Sequence, residues 1–275
     1  MNWDRPDNKD QVRVNCNDGS VYEADVVLVT CSLGYLKYNA DDMFVPSLPQ
    51  KKKEAIRVDN SVHYNNECSR AYIINNLFLV LDMKDMGFGT VDKIYLEFKD
   101  PWWSGTDWGG ISFVNSQRNG RIESVSDWTE NIIGFYTVRN QPNLLEGWLG
   151  GPSARYAENL SDSEIIEKCS QMLRKTMRED FSYVEPVGVI RTQWFNNPFF
   201  RGSYSYRPTK AKETDVWASD LADTVYDSQG NARVFFAGEA THSHYYSTAH
   251  AAVESGWREA DRILTRTVRR VKANL

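Results

Sequence analysis

The chain has 275 residues, a formal net charge of −5 and 41% hydrophobic residues. That hydrophobic content can build one large or two small cores, which excludes an intrinsically disordered protein. Basic residues are spread along an acidic chain, which argues against nucleic acid as the partner and mildly favours a cationic ligand.

The four cysteines predict neither a disulfide framework nor a zinc site. They are widely separated, and no C-x-x-C pair occurs. The first residues lack the pattern of a signal peptide, and no apolar stretch reaches the roughly 18 residues that span a bilayer. We therefore expect a soluble intracellular protein with reduced thiols and no membrane association.

The first segment predicts a β-hairpin. Val12 and Val14 alternate with polar residues, a turn follows at 17–19, and the apolar run 24–30 forms the second arm. Because this run is apolar on both faces, we expect it to lie inside a covered sheet. Residues 48–57 predict a short helix whose three adjacent lysines form a solvated face.

The middle of the chain predicts an antiparallel sheet. In the strand 91–98, Lys93, Tyr95 and Glu97 share one face, while Ile94, Leu96 and Phe98 share the other. Short apolar runs separated by polar turns continue through residues 101–151. The tryptophans of this stretch are more typical of a core than of a ligand cage, although an aromatic face can also hold an ammonium group.

Residues 154–177 predict a helix with a capping box at Ser161 and Glu164. Its apolar stripe includes Cys169, which needs no redox role. A strand at 187–191 then leads to the aromatic stretch 194–206. Pro198 and Gly202 turn this stretch sharply and leave several rings without regular strand partners.

The C-terminal stretch 233–264 predicts strand, loop and helix. The apolar run 234–237 ends at Gly238 and Glu239, and Ser247 and Thr248 supply hydroxyls for a helix start. Such a start presents unpaired N–H groups and partial positive charge to an anion or carbonyl. The three histidines of this stretch lack H-E-x-x-H spacing, so we expect no metal site.

Several motifs together resemble the flavin amine oxidases, above all their polyamine oxidase and spermine oxidase branch. They are G-F-G-T-x-x-K, W-x-x-N-P-x-x-R-G-S-Y-S-Y, F-A-G-E-A-T, H-Y-Y-S-T-x-H and S-G-W-R-E-A. The resemblance implies an α/β (α+β mixture) fold with an incomplete FAD-binding domain, formed by 1–45 and 191–275, and an antiparallel-sheet substrate domain, 46–190. Residues 58–84 depart from the family, and we interpret them as an insertion or a mispredicted exon. Their apolar run 71–83, broken at 75–76, is prone to β-pairing.

The resemblance also implies roles for individual residues. Lys93 would hold a water against flavin N5, and Tyr245 would flank the amine, with two packed core tyrosines as the alternative for Tyr245 and Tyr246. Glu239 would recognise hydroxyls of the cofactor. The complete expected set is catalytic Lys93 and Tyr245, FAD-binding Gly238, Glu239, Ser247, Thr248 and Trp194, and substrate-binding Phe199, Tyr204 and Tyr246.

No G-x-G-x-x-G fingerprint for a dinucleotide occurs in the chain. We therefore expect the chain to begin partway through the family fold, either as a fragment or incomplete gene model, or as a protein that has lost that half. The favoured function is oxidation of spermine, spermidine or their acetylated forms by O2. The alternative is a non-catalytic module that binds little or no FAD.

A histone demethylase-like function is weaker, because no long helical insertion is present. The C-terminal residues Ala273, Asn274 and Leu275 loosely resemble a peroxisomal signal, so the expected location is cytoplasmic or peroxisomal.

Overall fold

The structure is a computed structural model that describes residues 1–5, 11–56, 71–74, 77–80, 86–113, 125–177, 183–207 and 217–273. In chain order, its strands are β1 (Val12–Asn15), β2 (Val21–Ala24), β3 (Val27–Val29), β4 (Ala71–Ile74), β5 (Leu77–Val80), β6 (Gly87–Gly89), β7 (Val91–Glu97), β8 (Gly110–Ser112), β9 (Ile132–Val138), β10 (Gln141–Gly150), β11 (Gly188–Arg191), β12 (Tyr204–Tyr206), β13 (Val225–Tyr226) and β14 (Ala232–Phe236). The α-helices are Leu33–Met43, Gln50–Ile56, Gly151–Ala157, Asp162–Thr176, Ala218–Ala222 and Ala249–Ala273. No helix among these residues is long and apolar enough to cross a membrane.

The chain divides into two compact units. The first contains the described residues within Met1–Asn65, Asp82–Phe88 and Phe199–Leu275, and the second contains those within Asn66–Leu81 and Gly89–Pro198. These bounds differ from the predicted domains 1–45, 46–190 and 191–275, because the helix Gln50–Ile56 lies in the first unit. Which unit serves the cofactor and which the substrate stays a prediction.

A three-stranded sheet of order β13-β14-β3 forms the centre of the first unit. β3 runs parallel to β14, with Leu28 opposite Phe235. The predicted hairpin exists, but its second arm is β2, in which Ala24 pairs with Val12. The prediction that one run from 24 to 30 forms this arm was wrong, because the chain leaves the hairpin at Asp25, whose carbonyl accepts a hydrogen bond from Arg233 Nη1 at 3.2 Å.

The helix Gln50–Ile56 buries one of its lysines. Lys52 is only 3% exposed and shares a face with buried Ala55 and Ile56, as the i, i+3, i+4 spacing requires. Its Nζ donates to the Leu221 carbonyl at 2.8 Å and lies 3.8 Å from the centre of the Phe236 ring. Burial lowers the pKa of Lys52 to about 7. The expectation of a fully solvated basic face was therefore wrong at Lys52.

A buried ion pair closes the turn between β13 and β14. Arg233 Nε donates to Asp227 Oδ2 at 2.7 Å, and the two side chains are 2% and 5% exposed. Asp227 Oδ1 also accepts the N–H groups of Gln229 and Asn231. Burial alone would raise the pKa of Asp227, but these N–H groups and the guanidinium hold it below its usual range.

The second unit contains a five-stranded antiparallel sheet of order β11-β7-β10-β9-β8, which confirms the predicted sheet. Ile94, Leu96 and Phe98 are buried in its core, and Lys93 and Tyr95 lie on the opposite face as predicted. Trp103 and Trp128 are core residues, 6% and 2% exposed. Within the run 71–83, β4 and β5 pair with each other in antiparallel orientation.

The predicted helix 154–177 is two helices. Gly151–Ala157 ends before Ser161, which caps Asp162–Thr176 in a reciprocal capping box with Glu164. The break follows from this cap, because an N-cap residue has extended rather than helical dihedrals. Ile165, Cys169 and Leu173 form the buried stripe, and burial raises the pKa of the Cys169 thiol, which fits an inert core cysteine.

Candidate active site

Lys93 lies at the centre of a polar network on one face of the second unit's sheet. Its Nζ is 3.1 Å from Glu146 Oε2, which also accepts the Tyr95 hydroxyl at 2.7 Å. Trp148 Nε1 donates to Glu146 Oε1 at 2.6 Å. The antiparallel register explains the grouping, because Lys93 lies opposite Trp148 and Tyr95 lies opposite Glu146.

This network keeps Lys93 charged. Partial burial alone would lower the pKa of Lys93, but the hydrogen bond and charge of Glu146 raise it above its ordinary value. Burial likewise opposes ionisation of Glu146, yet the bonds from Tyr95, Lys93 and Trp148 lower its pKa. The ammonium also lies 4.4 Å from the centre of the Trp148 ring. Lys93 is therefore a hydrogen-bond donor rather than a base, and an ammonium has three donor hydrogens.

Trp194 belongs to a turn that is held by two buried acids of the same unit. Its N–H donates to Asp92 Oδ1 at 3.3 Å. The next two N–H groups, of Phe195 and Asn196, donate to the two carboxylate oxygens of Glu158 at 2.8 and 2.7 Å. The indole side is open, since Trp194 is 40% exposed. The turn thus has a fixed backbone and an accessible aromatic ring.

In the first unit, Glu239 joins three distant segments. Its Oε2 accepts the Ser205 hydroxyl and the Ser247 N–H, both at 2.5 Å, and its Oε1 accepts the Ser205 N–H at 3.2 Å. The Ser247 hydroxyl donates to the Ser205 carbonyl. Of the predicted cofactor residues, Glu239 and Ser247 are therefore in direct contact. The fully buried Ser205 that bridges them was not predicted.

Thr248, not Ser247, caps the C-terminal helix Ala249–Ala273. Its hydroxyl accepts the Ala251 N–H at 3.3 Å, while its carbonyl accepts the Ala252 N–H. Ser247 has a left-handed backbone, with φ of 69°. The residue before this cap, Ser247, donates its N–H to Glu239, so the helix start lies beside that carboxylate. The first turn of a helix has N–H groups without partners in the helix.

Gly238 leaves space that a side chain would occupy. Its φ is 138°, and a Cβ built there would meet no atom within 4 Å. Its N–H donates to the Ser255 hydroxyl at 2.9 Å, which fixes the loop to the C-terminal helix. Open space beside a glycine, a carboxylate and a helix start fits a polar ligand such as a flavin nucleotide.

The two candidate tyrosines have different environments. Tyr245 is 54% exposed and lies against His242 and His250, with ring centroids 5.3 and 5.2 Å apart. Tyr246 packs against the hydrophobic core of the first unit. His242 organises this turn, because its Nδ1 accepts the Tyr245 N–H at 2.9 Å while Nε2 lies 2.8 Å from Glu254. The environment of Tyr246 thus favours the alternative of a packed tyrosine for that residue.

The substrate candidates Phe199 and Tyr204 both expose their rings in the first unit. Phe199 is 72% exposed and Tyr204 38% exposed. Their roles in substrate binding stay predictions.

The family described as flavin containing amine oxidoreductase matches residues 2–67 and 76–264. The chain belongs to this family. The interruption at 68–75 falls inside the segment 58–84 that the sequence marked as atypical. The flavin amine oxidase resemblance is thereby confirmed, and FAD is the cofactor that the family implies.

Two curated relatives illustrate the branch. The peroxisomal N(1)-acetyl-spermine/spermidine oxidase of Bos taurus is 33% identical over 262 residues, covering 92% of this chain and 45% of that protein. The Homo sapiens protein of the same name is 34% identical over 263 residues, with the same coverage. The chain thus spans a little under half the length of these relatives, and the likeness confirms the polyamine oxidase branch.

A solved structure supports the fold. Wild-type putrescine oxidase bound to putrescine superposes with a TM-score of 0.62 at 16% identity, covering 96% of this chain and 47% of that one. At this identity the likeness shows the fold alone. It confirms the mixed α/β class with antiparallel sheet.

Sequence reasoning missed Glu146, Asp92, Glu158 and Ser205 in this flavin amine oxidase chain. Glu146 lies in a run of residues that alternates weakly, so only the strand register reveals it as the partner of Lys93. Asp92 could have been identified from the sequence, because it lies on the apolar face of β7. A carboxylate that is buried there requires hydrogen-bond donors.

Glu239→Gln tests whether Glu239 joins the three segments. A glutamine can accept at one oxygen only, so its NH2 group would face either Ser205 or Ser247 donors. We expect the free energy of unfolding to fall by about 1–3 kcal/mol, the usual effect of leaving a buried donor unsatisfied. Urea denaturation measures it.

Glu167→Gln is the matched control, because Glu167 makes one exposed bond to Gln171. Its effect should stay within about 0.5 kcal/mol. Equal stability of both variants would show that the Glu239 cluster does not hold the segments together.

Proposed function

We propose that this chain is part of an FAD-dependent polyamine oxidase, in which Lys93 acts in the reaction and the loop of residues 238–241 contributes to FAD binding. The reaction would be oxidation of a C–N bond of spermine, spermidine or an acetylated polyamine by O2. Its products would be an aldehyde, a shorter amine and H2O2. The observation that carries the proposal is the Lys93 ammonium held between the Glu146 carboxylate and the Trp148 ring, in the strand that matches the family.

Glu239, Ser247, Thr248, Gly238 and Trp194 would hold the FAD. Glu239 Oε1 accepts one bond from Ser205 and retains acceptor capacity for a cofactor hydroxyl. The start of the helix after Thr248 would stabilise negative charge by its N–H groups without reorganisation. When bound, the flavin supplies the acceptor for the hydride that leaves the amine carbon.

Lys93 would orient a water molecule by donating a hydrogen from its ammonium. One ammonium hydrogen is directed to Glu146, and an ammonium has three donor hydrogens in all. The amine would lie against aromatic side chains, because an aromatic face attracts the ammonium groups of a polyamine. These side chains would be Tyr245, Phe199, Tyr204 and Tyr246. The net charge of −5 would aid the approach of a polycation.

The alternative, a non-catalytic module that binds little FAD, is favoured by one observation. The chain contains no G-x-G-x-x-G fingerprint, which normally holds the pyrophosphate. Both proposals leave the Glu239 and Lys93 clusters intact, so the structure of the clusters does not separate them.

An absorbance spectrum of the purified chain mixed with FAD, before and after anaerobic addition of spermine, separates the two. Flavin bands that copurify and bleach on adding spermine would support the oxidase. A variant that lacks 58–84 tests the atypical segment in the same assay. A chain that purifies colourless, and that leaves the spectrum of added FAD unchanged before and after spermine, would overturn oxidase activity for this chain.

A peroxisomal location forms part of the proposal, because the two relatives carry that word in their names. The predicted signal ends in Asn274 and Leu275, which lie outside the described residues. Fusion of a fluorescent protein to the N-terminus, followed by imaging with and without the last three residues, checks it.

A further inference from the structure

Two acids are buried together in the second unit. Asp92 is 3% exposed and Glu158 is 2% exposed. Asp92 is on β7, and Glu158 directly follows the helix Gly151–Ala157. Both carboxyl groups accept backbone N–H groups of the same turn, 194–196. Burying two carboxylates side by side is strongly unfavourable unless one of them is neutral.

The two acids divide the N–H groups of one turn between them. Asp92 Oδ1 accepts the Trp194 N–H, and the two oxygens of Glu158 accept the N–H groups of Phe195 and Asn196. Three consecutive peptide N–H groups thus point at one pair of acids. Such convergent donors stabilise a single negative charge.

The same pair is linked to Lys93 through Thr192. The Thr192 hydroxyl donates to Asp92 Oδ1 at 2.8 Å and accepts the Lys93 N–H at 2.9 Å. The Thr192 N–H donates in turn to the Lys93 carbonyl at 3.0 Å. The backbone of Lys93 and the turn that carries Trp194 therefore depend on the same buried acids.

One oxygen of the pair needs a proton. Asp92 Oδ2 is buried and has no hydrogen-bond partner among the described residues. A proton shared between Asp92 and Glu158 would satisfy it, since a neutral carboxyl is also a donor. Burial, and after it the neighbouring Asp92, raise the pKa of Glu158 to about 7.

The cations of the surrounding elements are engaged elsewhere. Arg155 Nε donates to Thr90 Oγ1, and its guanidinium lies over the Phe195 ring. Arg191 pairs with Asp162. Lys93 points to the other face of β7 and pairs with Glu146. Each of these three cations thus has a partner of its own, and a proton is the counter-charge that we infer for the acid pair.

We propose that Asp92 and Glu158 share one proton and act together as positioning residues that hold the turn 192–196 beside Lys93. The proposal rests on the proposed function only in giving that turn a role beside the flavin. The proton shared by the two acids requires neither FAD nor amine. Sharing of the proton predicts the direction in which the stability of the chain changes with pH. A group whose pKa is raised on folding contributes stability that is fully present below its unfolded pKa of about 4 and is lost as the pH rises toward 7.

Asp92→Asn is the decisive variant. Its amide NH2 takes the place of the shared proton permanently, while its oxygen still accepts from Thr192 and Trp194. The wild-type chain should lose thermal stability between pH 5 and pH 8 relative to Asp92→Asn. We expect the difference in melting temperature between the two to grow by about 3 °C or more over this range. Asp100→Asn, which changes an exposed acid of the same unit, should follow the wild-type curve.

Hydrogen exchange of the peptide 192–197 tests the positioning separately. Asp92→Ala should raise the exchange rates of the Trp194, Phe195 and Asn196 amides about 10-fold or more at fixed pH. Asp92→Asn should stay within about threefold of wild type. If Asp92 had a purely structural role, asparagine would not both restore slow exchange of the turn amides and remove the pH dependence of the melting temperature.

Two results would overturn the proposal. One is an Asp92→Asn variant whose stability follows the wild-type pH curve, and the other is an Asp92→Asn variant whose turn exchanges as fast as that of Asp92→Ala. If Asp92→Ala does not fold, the comparison of wild type with Asp92→Asn decides alone. All measurements use the full chain without FAD, so a colourless, inactive protein would contradict the oxidase proposal and leave this test unaffected.

Discussion

Lys93→Met is expected to lower the rate of polyamine-dependent H2O2 formation by about 100-fold or more, the usual scale for loss of one preorganised hydrogen-bond donor. Methionine keeps the length and apolar stem of the side chain but removes the ammonium that Glu146 and Trp148 hold. The effect should appear as a lower kcat with little change in FAD binding. Steady-state assays with spermine and FAD measure it.

Lys99→Met is the matched control for this prediction. Lys99 is exposed in the same unit, so its loss should leave the rate within about twofold. Glu146→Gln should have a smaller effect than Lys93→Met, because the ammonium remains but loses its ionic partner. A Lys93→Met variant with a normal rate would show that the network has no part in the reaction.

Asp227→Ala is expected to lower the free energy of unfolding by about 3–5 kcal/mol, because it leaves the Arg233 guanidinium buried without its counter-charge. It also removes the acceptor of the Gln229 and Asn231 N–H groups that closes the turn between β13 and β14. Chemical denaturation should show the loss. Asp42→Ala, at an exposed helical position, should change stability by no more than about 0.5 kcal/mol.

The pH dependence of this pair has the opposite sign to that of the Asp92 pair. Because the pKa of Asp227 is lowered on folding, its contribution is present above its unfolded pKa of about 4 and is lost as the pH falls through the folded value. Asp227→Ala should therefore differ least from wild type at the most acidic pH. A constant difference from pH 7 down to pH 3 would contradict this explanation.

Local patterns predicted those features of the fold that depend on neighbours in sequence. The alternation around Lys93 gave the correct faces of β7, and Ser161 with Glu164 gave the correct helix start. The residues from Gly238 to Thr248 gave the correct order of strand, loop and helix. These features depend on residues within a few positions of one another, so a single sequence contains the required information.

Features set by strand register or tertiary contact were not predictable from one sequence. Glu146 meets Lys93 only because β10 pairs with β7 in one register. Ser205 meets Glu239 through a contact between distant segments, and Lys52 is buried by a helix and a strand far along the chain. The apolar run 24–30 looked like one arm because a local pattern does not show where Asp25 leaves the hairpin.

The parallel pairing of β3 with β14 also delays the formation of the central sheet during synthesis of this protein. Val27 and Val29 pair with Val234 and Phe236, so the ribosome must add about 200 residues before the central sheet can form, which takes about 10–40 s at 5–20 residues per second. During that interval Val29, later a core residue, lacks the strand that covers it. A nascent chain with an unpaired apolar strand is a substrate for chaperones, whereas β7, β9 and β10 emerge close together and can pair as they leave the ribosome.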